Sequence, residues 1–150
     1  MTYDSTHDTL KHIRTVQVFI SEVTNELQKR MIYHDMSKMS DLEKNIFDEF
    51  TPKLKDSTYG SDEYKKFLSE MKVALDHHYK ENKHHPEHFD KGIRGMNLID
   101  LVEMLCDWYA ASLRHDDGDI YKSIEINKNR FGYSDDLAEI LKNTADFLTK

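Results

Sequence analysis

The sequence predicts an all-α fold, a single bundle of about six or seven helices over residues 1–150. In most segments the apolar residues recur at intervals of three and four, which is the period of a helix buried on one side. The chain has only five glycines and two prolines, fewer turn residues than a β-sandwich or barrel of this length needs. Because no internal repeat or long linker divides the chain, we expect one domain.

The N-terminal part of the chain is predicted to be helical as far as a histidine-aspartate pair. The first helix should run from about residue 8 to residue 25, and a second helical stretch from about 26 to 35 should deliver His34 and Asp35 near its end. The apolar side of the first helix is set by residues at helical spacing: Leu10, Ile13, Val16, Ile20, Val23 and Leu27.

The middle of the chain carries two helix-start signals. Ser40-Asp41-Leu42-Glu43 has the form of a capping box, and the helix that it begins should be ended or bent by Pro52. Residues 53–61 are predicted to be a connecting loop. Ser61 should then cap one long helix that ends before Pro86, because the residue preceding a proline is disfavoured in the α conformation.

The C-terminal part begins with a glycine-containing loop at 88–96. Asn97 should cap the most apolar helix of the chain, and a further helix is expected at 119–130 between two glycines. Ser134 should cap the last helix, 135–148, which could pack within the chain or against a second subunit of a homo-oligomer. The buried stripe of the helix after Asn97 is expected to contain Leu98, Leu101, Val102, Leu105, Tyr109 and Leu113.

Charge and composition exclude several classes of protein. The formal net charge is −7 without a run of lysine or arginine, so a binder of long nucleic acids or membrane surfaces is not expected. No stretch reaches the roughly 18 apolar residues that span a bilayer. The N-terminus does not resemble a secretory signal, and the single cysteine, Cys106, allows no intrachain disulfide. We therefore expect a cytoplasmic protein.

The sharpest deviation in composition is the histidine content. Nine histidines occur, five of them between positions 77 and 88. Histidine and aspartate together suit a divalent cation such as Mn, Fe, Co, Ni, Zn or Mg, and helical bundles build such sites from side chains on different helices. The candidates lie on four segments, all helical or at helix ends: His12, His34, Asp35, His77, His78, His84, His85, His88 and Asp107.

Two of these candidates are the most informative. The His34-Asp35 pair follows an apolar segment that should face the core. Asp107 lies in the most hydrophobic window of the chain, where a carboxylate needs a partner to offset its desolvation. Asp100 and Glu103 share its side of the helix, and that side could face a metal or be a solvated edge. A histidine-rich helix end is also common as a solvated surface, so this alternative stays open.

Taken in order, an early histidine, the His34-Asp35 pair, a histidine pair and a late aspartate resemble the HD superfamily of metal-dependent phosphohydrolases. More narrowly, HDMSK (34–38), ALDHHYKENKHHPEH (74–88) and MNLIDLVEMLCDW (96–108) are similar to an uncharacterised HD-like family of small bacterial and phage proteins. The likeness covers most of residues 9–131.

The resemblance implies a ligand set. A first metal would be held by His12, His34, Asp35 and Asp107. Asp35 would bridge to a second metal ligated by His78 and by His84, His85 or both. Lys38 would lie near a substrate phosphate, at a position where the deoxyribonucleotide type of HD nucleotidase carries a glutamate. The Gly-Tyr-Pro signature of the cyclic-dinucleotide phosphodiesterases is missing.

We therefore expect a phosphohydrolase that cleaves a nucleotide or other small phosphate ester through a metal-activated water. The candidate catalytic residues are Asp35, Lys38 and Glu43. The candidate substrate-binding residues are Lys38, Asn82, Arg114 and Arg130, and Glu43 and Asn82 are also candidates for orienting the ligands. Two alternatives stay open: a non-catalytic HD-like module that retains metal and acts as a regulator or partner of another protein, and a di-iron oxygenase.

Overall fold

All regular structure in the described part of the chain is helical. The computed structural model describes residues 3–58, 61–114 and 117–149, and these form seven α-helices and three short 3-10 helices without a strand. The predicted all-α class is therefore confirmed. Contacts divide the chain into two units, Met1–Tyr33 and His34–Lys150. None of the described helices has both the length and the apolar character needed to cross a bilayer.

The first unit consists of one long helix, α1 (Thr6–Tyr33). The predicted boundary between two helices near residue 25 was wrong. No glycine or proline interrupts the segment, and Arg30 Nε pairs with Glu26 Oε1 at 3.1 Å, one helical turn apart. Such a pair stabilises the helical turn that directly follows the expected break.

The second unit begins with α2 (Asp41–Asp56), which starts after Ser40 as predicted. The Ser40 side chain makes no capping hydrogen bond, however, and the Glu43 carboxylate meets His77 and His78 instead of completing a capping box. The helix also continues through Pro52, so the loop predicted from residue 53 begins later. Lys53 Nζ donates to Glu49 Oε1 at 2.7 Å across the proline, and this pair supports the helix where a backbone hydrogen bond is lost.

The single long helix expected after Ser61 is two helices, α3 (Asp62–Glu70) and α4 (Lys72–Glu81). The chain leaves helical geometry at Met71, with φ −81° and ψ 0°, and this side chain is buried. The bend lets both helices pack against α2. Phe67 on α3 meets Phe50 on α2, with ring centroids 6.1 Å apart.

After α4, two 3-10 helices, Pro86–His88 and Gly92–Gly95, lie in and just before the predicted loop. The cap at Asn97 is confirmed: its side chain accepts from Asp100 N while the Asp100 carboxylate accepts from Asn97 N. This capping box begins α5 (Leu98–Ser112), the most apolar helix of the described chain. Asp100 is therefore occupied as part of the cap.

The last two helices, α6 (Ile120–Phe131) and α7 (Asp135–Leu148), pack with α5. Gly132, at φ +67°, ends α6 in the left-handed conformation that glycine adopts without strain. Ser134 caps α7 as predicted. We call the buried residues shared by these three helices and the turn between the last two the apolar interior: Met104, Leu105, Ile120, Ile124, Tyr133, Ala138, Leu141 and Ala145.

Candidate metal centre

The His34-Asp35 pair sits in a sharp turn between α1 and the 3-10 helix Met36–Met39. Asp35 adopts the left-handed conformation, at φ 58°, and among the described residues it is the only non-glycine with positive φ. Aspartate tolerates this region better than most residues, yet the conformation still has a cost. Strain of this kind persists where the surrounding structure requires a particular side-chain direction. Here it directs the Asp35 carboxylate toward three histidines.

Those histidines come from the end of α4 and the turn that follows. His78 is on the last turn of α4, and the chain reverses over residues 82–85 so that His84 and His85 return to it. Asp35 Oδ1 lies 3.3 Å from His78 Nε2 and 3.4 Å from His84 Nε2. His78 Nε2 and His85 Nε2 are 3.0 Å apart. His78 and His85 are therefore close, although α4 ends at Glu81 between them.

A second group of potential ligands adjoins the first. The first group consists of Asp35, His78, His84 and His85, and the second of His34, His84 and Asp107. Within each group the potential ligand atoms lie within 4.8 Å of one another. His34 Nε2 is 3.6 Å from Asp107 Oδ1 and 3.6 Å from Asp35 Oδ2. Asp107 comes from α5, so the arrangement joins three separate parts of the second unit. We call the six residues the ligand cluster: His34, Asp35, His78, His84, His85 and Asp107.

Three atoms of the ligand cluster are buried without a hydrogen bond in the described part of the chain: Asp35 Oδ1, His84 Nδ1 and His84 Nε2. His84 is fully buried. Leaving such groups unpaired costs free energy, so they normally have a partner. Ligands bonded to one cation at about 2.1 Å in adjacent positions lie roughly 3.0–3.4 Å apart. The observed spacings match this value, so the cluster fits a divalent cation.

Two glutamates hold the outer nitrogens of the histidines. Glu43 is fully buried, and its Oε2 accepts from His78 Nδ1 at 3.0 Å. Glu103 Oε1 accepts from His34 Nδ1 at 2.9 Å and lies 3.2 Å from His84 Nδ1. A carboxylate at Nδ1 fixes the proton there and leaves Nε2 free to bind a metal. Both glutamates are therefore positioned to select the metal-binding tautomer.

Further hydrogen bonds hold the Glu43 carboxylate in place. His77 Nδ1 donates to Glu43 Oε1 at 2.6 Å. Ser37 Oγ donates to Glu43 Oε2 at 3.1 Å and accepts from Asn82 Nδ2 at 2.7 Å. Asn82 also donates to the carbonyl of His78 at 2.8 Å. Glu43 and Asn82 thus hold His78 through hydrogen bonds, and the roles predicted for them in catalysis, substrate binding and ligand orientation stay predictions.

Neighbouring charges and burial shift the pKa values of several residues in the ligand cluster. Burial raises the pKa of the Asp35 carboxyl, but the facing His78 and His84 lower it more, so the net pKa is far below its usual range. Hydrogen bonds to Asp107 and then Glu103 raise the pKa of His34 to about 10. Burial, followed by the charges of His84 and His78, lowers the pKa of His85 to about 3. The Asp35 carboxylate and the neutral His85 are the forms that bind metals.

Lys38 contacts the cluster from its outer side. Its Nζ donates to Asp35 Oδ2 at 2.5 Å and lies 5.3 Å from the centroid of the Phe47 ring. About a third of the lysine side chain is exposed, so the ammonium stands between the buried carboxylate and solvent. The lysine of the HDMSK motif is therefore at the entrance of the centre.

This geometry can be compared with known families. The chain belongs to the family of unknown function DUF5662. The model of that family matches residues 1–147, nearly the whole chain. No curated protein and no solved structure matches the chain significantly. Membership in this family assigns no chemistry to the cluster, and the resemblance to the HD superfamily stays a prediction.

Besides Lys38, Glu43 and Asn82, three more predicted site residues are not members of the ligand cluster. His12 is in the second turn of α1 and belongs to the first unit, whereas the whole cluster belongs to the second. Its part in metal binding therefore stays a prediction. Arg114 follows α5 and is exposed. Arg130 is exposed and pairs with Glu87 Oε1 at 2.6 Å. Their phosphate-binding roles also stay predictions.

Sequence reasoning did not assign a role to Glu103 or Ser37. Glu103 was noted only as a neighbour of Asp107 on α5, along a side that could face a metal or solvent. One turn before Asp107 in an apolar helix, a second carboxylate is itself unusual, and this is the sequence signal for Glu103. Ser37 had no comparable signal, because its importance comes from contacts with α2 and α4.

Proposed function

We propose that the chain is a metal-dependent phosphohydrolase that holds a divalent cation in the ligand cluster and hydrolyses a small phosphate ester. The observation that supports this most is that Asp35 Oδ1 and His84 Nε2 are buried and face each other at 3.4 Å without a hydrogen bond in the described part of the chain. A cation between them would satisfy both and would also engage His78 Nε2, 3.3 Å from the same carboxylate oxygen.

The chemistry of the donors favours a transition metal. His78, His84 and His85 would supply three nitrogens and Asp35 one oxygen. Imidazole suits Mn, Fe, Co, Ni and Zn, whereas Mg prefers oxygen ligands and water. When bound, the cation supplies a Lewis acid that polarises a phosphoryl oxygen and lowers the pKa of water.

The protein's own groups would prepare the reaction. Glu43 and Glu103 hold the imidazoles in the tautomer and orientation that ligation requires. Asp35 stays ionised, so its carboxylate is available both as a ligand and as an acceptor that orients water. Lys38 Nζ has three donor hydrogens, and its contact with Asp35 Oδ2 uses one of them. The others would bind a phosphate oxygen and stabilise the negative charge that develops there.

The substrate class follows from charge. A net charge of −7 disfavours a long polyanion, which needs an extended basic surface. A small ester requires only local positive charge, which the cation and Lys38 would supply. Nucleotides and other small phosphate esters are therefore the expected substrates.

The test combines metal analysis with a substrate screen. The purified chain is analysed for bound elements and then assayed for phosphate release from a panel of nucleotides and phosphate esters with added Mn, Co, Ni, Zn or Mg. The key variant is Asp35→Asn, because asparagine also tolerates the left-handed backbone at this position. Asp48→Asn is the matched control, since Asp48 is exposed on α2 and pairs only with a surface lysine among the contacts described.

We expect bound metal and metal-dependent hydrolysis in the wild type and in Asp48→Asn, and loss of both in Asp35→Asn. Tight metal binding without turnover on any phosphate ester would instead favour the non-catalytic module. Absence of bound metal in the wild type, even after incubation with each cation, would overturn the proposal.

A further inference from the structure

We propose that the centre holds one cation per chain, because the Lys38 ammonium occupies the outer oxygen of Asp35, where a second cation would have to bridge. This inference rests on the proposed metal site and concerns how many ions it takes. It departs from the two-metal arrangement that the family resemblance implies.

The two oxygens of Asp35 have different surroundings. Oδ1 is buried, has no hydrogen bond in the described part of the chain, and faces His78 Nε2 and His84 Nε2. Oδ2 is held by Lys38 Nζ at 2.5 Å. A carboxylate that bridges two cations offers one oxygen to each. Since Oδ2 already has a positively charged partner, Asp35 is arranged to bind one ion, through Oδ1.

Lys38 is held at this position by the local structure. It lies three residues after Asp35 on the adjoining 3-10 helix, and its ammonium lies 5.3 Å from the ring centroid of Phe47 on α2. Attraction between an ammonium and an aromatic face adds to the ion pair with Asp35. A second cation at Oδ2 would have to displace the ammonium, and any ammonium left nearby would repel it.

The number of ligands leads to the same conclusion. The two potential ligand groups share His84. When His84 is bound to an ion with Asp35, His78 and His85, only His34 and Asp107 remain of the second group. Catalytic sites of this type normally have three protein ligands for each ion. With Asp35 Oδ2 engaged by Lys38, no third ligand for another ion remains among the described residues of the second unit.

The test measures the number of ions per chain. Native mass spectrometry and elemental analysis are applied to the full chain saturated with Mn, Co or Zn. Lys38→Met removes the charge at nearly constant length, whereas Lys38→Arg keeps it. Lys44→Met is the matched control, because Lys44 forms an equally short pair with Asp48 on the exposed side of α2.

We expect one ion per chain in the wild type, Lys38→Arg and Lys44→Met, and two in Lys38→Met, where Asp35 Oδ2 becomes available to join His34 and Asp107. Two ions in the wild type, or one in folded Lys38→Met, would overturn the inference. No bound ion in the wild type would overturn the proposed function instead. If Lys38→Met does not fold, the Mn-saturated wild type decides: an electron paramagnetic resonance spectrum of isolated ions supports the inference, and one of coupled pairs overturns it.

Discussion

The apolar interior and the ligand cluster both contain residues of α5, but the first is held together by apolar packing and the second brings together charged and polar groups. Met104 and Leu105 of α5 are buried among the side chains of α6 and α7. Glu103 and Asp107 of the same helix instead meet histidines from the His34 turn and from the turn after α4. The apolar interior is held together by packing, and its one hydroxyl, that of Tyr133, donates to the carbonyl of Ile124 at 2.6 Å. In the ligand cluster three buried polar atoms make no hydrogen bond in the described part of the chain.

This difference separates stability from function. Burial of apolar surface is non-directional and stabilises the fold whether or not a ligand is bound. Buried charged groups lose hydration, and their attraction often does little more than offset that loss. We therefore expect the apolar interior to supply most of the stability of the metal-free second unit, and the ligand cluster to supply its binding chemistry.

The largest expected effect is on stability, from Ile124→Ala. Ile124 is fully buried in the apolar interior, and removing its side chain beyond Cβ should lower the free energy of unfolding by about 2–5 kcal/mol. The number of bound metal ions should not change, because no residue of the ligand cluster belongs to this interior. Urea denaturation and elemental analysis measure the two quantities.

The control for this substitution lies on the same helix. Ile126 is about half exposed on α6, so Ile126→Ala should change the free energy of unfolding by no more than about 0.5 kcal/mol. If the folded Ile124→Ala variant lost its metal, the two regions would be coupled and the separation proposed above would be wrong.

The same contrast explains how much of the fold the sequence predicts. Helix starts at Asn97 and Ser134 are predictable because a capping side chain acts on the next two or three residues. The break at Met71 is not, because no glycine, proline or cap marks it and the bend serves packing against α2. Pro52 gives the opposite error: it predicts an end or a bend, whereas α2 continues through the proline to Asp56.

The candidate site divides in a similar way. His34, Asp35 and Asp107 are predictable because polar residues in or beside apolar segments need a partner. The approach of His84 to Glu103 is not, because it depends on how the turn over residues 82–85 packs on α5. Glu43 combines a predictable and an unpredictable feature. Its position in the capping-box pattern marks the start of α2 correctly, but the pattern does not show that its side chain is directed to His77 and His78.

The next largest effect is expected on metal affinity, from substitution of Glu103. Its carboxylate accepts from His34 Nδ1 and lies beside His84 Nδ1. Loss of such an outer partner typically costs 10–100-fold in metal affinity. We expect about tenfold for Glu103→Gln, which keeps an acceptor oxygen, and about a hundredfold for Glu103→Ala. Competition with a chromophoric chelator gives the affinity.

A positioning role can be distinguished from a general structural one. Glu103→Gln should alter the visible spectrum of the cobalt-substituted protein, because the imidazoles it holds would change orientation. Glu49→Gln, at an exposed position on α2 that pairs with Lys53, should leave both affinity and spectrum unchanged. An unchanged cobalt spectrum and affinity in Glu103→Gln would show that the carboxylate does not act on the ligands.

The smallest expected effect is the pH dependence of metal affinity, and it depends on His84. Burial lowers the pKa of this imidazole, but Asp35 and then Glu103 raise it more, so the net pKa is above its ordinary value of 6.5. In the metal-free chain His84 is therefore protonated near pH 6.5 and must release that proton to bind a cation. His85, with its pKa lowered to about 3, is already neutral and releases none. Because His84 releases its proton when the ion binds, affinity should rise by about tenfold per pH unit below the raised pKa of His84 and level off above it.

Calorimetry in buffers of different ionisation enthalpy measures the number of protons released, which we expect to be about one per ion at pH 6. Glu103→Gln removes one of the groups that raise the pKa of His84, so the pH at which the affinity levels off should move down in this variant. If affinity were independent of pH over this range in the wild type, His84 would be neutral before binding. The buried imidazole would then be held by packing, as side chains of the apolar interior are, and the distinction between the two regions would not extend to it.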